Sequence, residues 1–156
     1  MRTSKRGLST RQVGLKYGFR SGLEEKVAAD LEEKGVPFDY EKHVIRYVKP
    51  ARDAKYTPDF LIRKNGILVE TKGRFVTEDR QKHLLIRDQH PNLDIRFVFS
   101  NPNARISKKS KTTYAMWCEK HGFLYAKQDI PLEWLREKPK AGRTAALSTI
   151  GIILNG

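Results

Sequence analysis

Residues 58–72 read PDFLIRKNGILVETK, two short apolar runs on either side of Lys64-Asn65-Gly66-Ile67. Asn-Gly between such runs is the strongest short-range signal for a β-hairpin. Side chains of a strand alternate between faces, so Leu68, Glu70 and Lys72 point one way and Ile67, Val69 and Thr71 the other, with Glu70 and Lys72 ~7 Å apart. A two-residue turn at Asn65-Gly66 pairs Lys64 with Ile67, which sets Asp59 opposite Lys72 and Leu61 opposite Glu70. Directly paired residues share a face, so Asp59, Glu70 and Lys72 converge on one surface, with Asp59 diagonal to Glu70 at roughly 7–8 Å. The convergence depends on register, because a slip of one residue sends every side chain to the other face.

Two carboxylates at that spacing can bind a divalent cation through oxygen, and a lysine beside them can help activate water or neutralise developing negative charge. Phosphodiester hydrolysis needs this chemistry. The alternative is an ordinary charged strand face with a weak Glu70–Lys72 pair. Asp is disfavoured in strands, yet Asp59 follows Pro58 inside an apolar run. Upstream, Ser21 can cap a helix, Glu24 sits three residues later as in a capping box, and Gly35 ends the segment. Leu23, Val27 and Leu31 form its apolar stripe with Ala28 beside it, which puts Glu24 on the edge of the buried face. Glu24 either completes the capping box or, if this helix packs across the hairpin, supplies a third carboxylate able to hold a second metal.

Further elements follow from pattern. VPFDYE alternates Val36, Phe38 and Tyr40 as a strand, HVIRYVKP is a second, and KPARDAK, residues 49–55, reads as a linker. Thr77 caps a helix over TEDRQKHLLIRDQ, which stops before Pro91. LDIRFVFS is a strand, NPNARISKKSKT a basic loop, TTYAMWCEKHG a helix ended by Gly122, FLYA a last strand, and Pro131 opens the short helix PLEWLRE. The pattern is α/β (α+β), a central mixed sheet flanked by helices. Phe97, Phe99 and Trp117 follow the periods of their elements and belong to the core. The lone Cys118 excludes an internal disulfide and reads as a small apolar helix residue, while His43, His90 and His121 lack zinc spacing and have structural roles.

The chain has 156 residues, enough for one domain, and 31 Lys and Arg against 18 Asp and Glu give a formal net charge of +13 and a pI near 10. Such an excess calls for an anionic partner, nucleic acid or a membrane surface. No run of 18 apolar residues spans a bilayer, and the N-terminus lacks the apolar core of a secretory signal, so an intracellular protein is expected. Residues 1–20 hold Arg2, Lys5, Arg6, Arg11, Lys16 and Arg20 with no acid, a flexible basic arm that either tracks phosphates or merely solubilises. Residues 21–138 form the domain, and 139–156 an apolar tail with no assigned role. Arg80, His83 and Arg87 share one helix face, which either contacts phosphate or is simply solvated. Lys108, Lys109 and Lys111 lie in a loop with Ser107 and Ser110 that suits contact with a nucleic-acid backbone.

The Pro-Asp, ten intervening residues, then Glu-x-Lys arrangement resembles the PD-(D/E)xK nuclease superfamily. FRSGLEEKV, YTPDFL, NGILVETKG, DRQKHLLIRDQHP, LDIRFVFS and CEKHG, in order between Phe19 and Trp134, more closely resemble the phage endonuclease I family of Holliday junction resolvases. The resemblance implies a restriction-endonuclease-like sheet with Glu24, Asp59, Glu70 and Lys72 as active-site residues. Asp59 and Glu70 would hold one Mg2+, with the Thr71 carbonyl as a further ligand, and Glu24 would help hold a second; Mn2+ would substitute. Lys72 would contact the attacking water or the scissile phosphate. An intertwined homodimer is implied, with KPARDAK at its bridge, acting on branched DNA such as four-way junctions by paired nicks, in the host cytoplasm for a phage protein. Rival assignments are another PD-(D/E)xK nuclease, restriction-like or mismatch-nicking, or a non-catalytic nucleic-acid-binding protein.

Overall fold

The computed structural model describes residues 22–49 and 52–154. The arm residues Lys5, Arg6, Arg11 and Arg20, and the Ser21 cap, lie outside the described residues. The fold is built around β5 (Ile67–Lys72) and β6 (Ile95–Phe99), which run parallel with Leu68 beside Ile95, Glu70 beside Phe97 and Lys72 beside Phe99. The antiparallel hairpin places β4 (Phe60–Ile62) on the other side of β5, and β1 (Phe38–Tyr40) pairs antiparallel with β4. β7 (Tyr125–Lys127) pairs parallel with β6, so the mixed five-stranded sheet runs β1-β4-β5-β6-β7. β5 and β6 are the parallel centre, and their near-continuous apolar runs are what burial on both faces requires.

Helices cover both faces. α1 (Gly22–Glu33) lays Val27, Ala28 and Leu31 on Phe60, Ile62, Ile67, Val69 and Val98, beside α4 (Leu132–Arg136) with Trp134 and Leu135. The opposite face carries Leu61, Leu68, Ile95, Phe97 and Phe99. It is covered by α2 (Thr77–Gln89), α3 (Tyr114–His121) and α5 (Ala141–Thr149). The helix boundaries follow local chemistry: Thr113 caps α3 by accepting the Met116 N–H, and Gly122 at φ 76 ends it. α2 begins at Thr77, but no side chain caps it; Val76 holds the cap position, and the Thr77 hydroxyl accepts from Arg80 instead.

Three further expectations are revised. The hairpin turn is not the two-residue Asn65-Gly66: Ile62 pairs with Ile67, so residues 63–66 form the loop and the register moves by two positions. Asn65 is buried because its amide donates to the Trp134 and Glu137 carbonyls at 2.7 and 3.1 Å while its oxygen accepts the Ile67 N–H. Gly66 sits at φ 79, and a Cβ there would stand 3.0 Å from Leu147. A shift of two preserves face parity, so the shared face of Asp59, Glu70 and Lys72 survives the wrong turn. The segment read as a linker contains a strand, β3 (Arg52–Tyr56), paired antiparallel with β2 (Ile45–Lys49) in a separate ribbon. The stretch set apart as a tail contains α5, whose Leu147 is buried in the core together with Ile152 beyond the helix, and whose Arg143 is tied to the Asn65 carbonyl, Glu137 and Asp94.

Candidate functional site

Beyond Phe60 the β4 backbone leaves the ladder, because Pro58 has no N–H to donate. Side chains complete the pairing. The Asp59 N–H donates to Glu70 Oε1 at 3.2 Å, and Asp59 Oδ2 accepts both the Thr71 N–H and the Thr71 hydroxyl at 2.8 Å. Asp59 and Glu70 are thereby locked to each other at the C-terminal end of β5, both buried. Glu24 reaches this point from the first turn of α1, around the end of the sheet, and the Tyr40 hydroxyl donates to its carboxylate.

A fourth acid joins them that sequence pattern did not single out. Glu41 follows β1 with φ 44, a left-handed conformation uncommon outside glycine, and its N–H donates to the Asp59 carbonyl at 3.1 Å. Carboxylate oxygens of Glu24, Glu41 and Asp59 lie within 4.8 Å of one another. Neither strand alternation nor helix periodicity applies at the residue after a strand, so only the backbone turn reveals Glu41. Glu24, Asp59 and Glu70 open onto a cleft of about 530 Å3 whose lining includes Lys55, Tyr56, Thr57, Lys72 and Lys82. Lys72 Nζ stands 3.4 Å from Asp79.

The electrostatics mark this cluster as charged beyond what the described chain compensates. Burial, then the Glu70 charge, pushes the Asp59 carboxyl up to about 8 despite the two Thr71 hydrogen bonds. Glu70 is raised by burial, opposed chiefly by Lys72. Tyr40 is raised by burial and by Glu24. An all-oxygen donor set whose ionisation is penalised in this way fits a hard divalent cation, which would restore the charge balance. The acidic cluster could therefore hold a metal ion.

Other expected contacts fall elsewhere. Arg80 and His83 are turned into the protein, correcting their assignment to phosphate or bulk solvent, while Arg87 is half-buried. Arg80 is buried and donates to the Phe75 carbonyl, His83 is fully buried, and Arg87 donates to the His121 carbonyl and stacks over Phe123. Lys108, Lys109 and Lys111 remain exposed in their loop. His43 bonds Asp39, His90 bonds the Arg46 carbonyl and His121 packs on Trp117, all structural contacts. Cys118 and Phe97, Phe99 and Trp117 are buried together.

Comparison with known proteins accords with this arrangement. A sequence model described as Phage endonuclease I matches residues 5–151. The chain is 54% identical over 130 residues to Endonuclease I of Escherichia phage T7, covering 83% of this chain and 85% of that protein. It is 56% identical over 122 residues to Endodeoxyribonuclease 1 of Enterobacteria phage T3, covering 78% and 80%. With the match spanning the sheet, the helices and every acid of the cleft, this chain belongs to the phage endonuclease I family.

Proposed function

We propose that the protein is a metal-dependent, structure-selective endodeoxyribonuclease that resolves four-way DNA junctions as a segment-exchanged homodimer. The observation that carries the reading is the convergence of Glu24, Asp59 and Glu70 beside Lys72 in one lysine-walled cleft, with the Glu41 carboxylate within 4.8 Å of those of Glu24 and Asp59. Glu24, Glu41, Asp59 and Glu70 would hold Mg2+ or Mn2+. Such cations polarise a phosphate and lower the pKa of water. The chain's own part is positioning and charge. Lys55 and Lys82 on the cleft wall draw in the phosphate, and Lys72, steadied by Asp79, faces the negative charge that develops as water adds to phosphorus and the opposite oxygen leaves. Thr71 holds Asp59 in place through two hydrogen bonds, and Tyr40 does the same for Glu24 through one.

Two features support the dimer and the branched substrate. β2 and β3 are paired up to Lys49 and Arg52, with Pro50 and Ala51 between them in sequence. Exchange of this ribbon between two copies would join them, and Val44 and Val48, 45% and 55% exposed, offer apolar contact. A dimer with two such clefts nicks opposite strands, and Lys108, Lys109, Lys111 and the basic arm then grip backbone rather than bases.

Cleavage of a labelled four-way junction beside linear duplex, with Mg2+, Ca2+ and EDTA, tests the reading. Paired Mg2+-dependent cuts in the junction are expected, and Glu70→Ala should abolish them while leaving junction binding intact. Equal cutting of both substrates would leave a general nuclease; binding without cutting would leave a binding module. A monomer in sedimentation at micromolar concentration would remove the exchanged dimer.

A further inference from the structure

His83 is fully buried on α2, yet both of its ring nitrogens lack a hydrogen-bond partner among the described residues, and so does the buried Tyr56 hydroxyl beside it. An unsatisfied buried polar group opposes folding, and an aliphatic side chain would pack this position without that cost. The ring is also held rigidly. The Tyr56 ring meets it at 5.0 Å and 82°, and the Phe97 ring at 4.8 Å and 82°, both edge-on. What it faces is the cleft's central acid: His83 Nε2 stands 3.5 Å from Glu70 Oε2. The other oxygen, Oε1, already accepts the Asp59 N–H. A displacement of a few tenths of an ångström brings the imidazole into bonding range.

We infer that His83 is a positioning residue for the metal site, donating from Nε2 to Glu70 Oε2 and so fixing the orientation of that carboxylate toward the cleft. The energetic logic is that of outer partners of metal ligands, which orient the ligand and whose loss weakens metal binding by about 10–100-fold. The Asp59 N–H and His83 approach Glu70 at different oxygens, which leaves the carboxylate little freedom to rotate. Tyr56 completes the wall that keeps the ring in place.

This inference rests on the metal-site reading, and its test separates the two. Calorimetric titration of the full-length protein with Mn2+, without DNA, is compared for wild type, His83→Leu, His83→Met, His83→Gln and Glu70→Ala, alongside melting in EDTA. The apolar variants should lose roughly tenfold or more in Mn2+ affinity while melting in EDTA no lower than wild type, and His83→Gln, which keeps an N–H donor, should recover much of the loss. Wild-type Mn2+ affinity in whichever apolar variant folds, with affinity lost in Glu70→Ala, overturns the role of His83 alone. Unchanged affinity in both overturns the metal site itself.

Discussion

At the scale of single residues, Asp59 joins the acids of the cluster, bonded to Glu70 and close to Glu24 and Glu41. Its carboxyl titrates near 8 in the fold against 3.8 ordinarily, so the folded chain favours the protonated form. The stability that proton contributes is fully present below about pH 4 and is lost as pH rises through about 8. A divalent cation needs the ionised form and restores stability where the bare site loses it. The melting temperature with and without Mg2+ should therefore diverge as pH rises from about 6 to about 9. Saturation at about a hundred times Kd is worth about 2.7 kcal/mol, and Glu41→Gln should shrink that gap if Glu41 is a ligand. A gap independent of pH would separate the metal from Asp59. Alternation alone groups Glu70 with Lys72, a local property, and an even shift of the hairpin register keeps Asp59 on their face. Glu41 was illegible, since its side chain is aimed by one left-handed residue whose N–H is anchored on Asp59, a residue remote in sequence.

At the scale of elements, the four-residue loop and α5 belong together. Leu147 covers Gly66, Arg143 bonds the Asn65 carbonyl, and Asn65 in turn fastens the end of α4. Leu147→Ala should cost about 2–5 kcal/mol in urea unfolding, far more than truncation in a solvated tail would. The apolar stretch after Pro139 was recognisable as apolar, but not as core, because the surface it buries comes from the hairpin, half the chain earlier. Asn-Gly marked the turn correctly and its length wrongly. The tight two-residue form competes with burial of the Asn65 amide, which carbonyls at the end of α4 made the better arrangement. The helix face of Arg80, His83 and Arg87 shows the same limit. Spacing specifies that three side chains share a face, while the packing partner decides whether that face meets solvent or Phe97.

At the scale of the whole molecule, the charge of +13 and the buried acids form a division of labour. Six basic residues and no acid stand in residues 1–20, whereas the acids of the cleft would repel phosphate unless cations neutralise them. Removing residues 1–20 should weaken junction binding and flatten its salt dependence, the logarithmic slope falling by about 0.9 for each phosphate that the arm neutralises, with the unfolding midpoint little changed. An unchanged slope would deny the arm any role in holding DNA. Local pattern alone specified most of the elements, the mixed α/β class, the basic surplus and the shared face of Glu70 and Lys72, because propensity, alternation and composition act over a few residues. Tertiary packing decided the register of the hairpin, the place of α5 in the core, the turning of His83 toward Glu70 and the arrival of Glu24 and Glu41 at Asp59. Each of these joins segments far apart in sequence, where the energy of burial and of satisfying buried polar groups outweighs local preference.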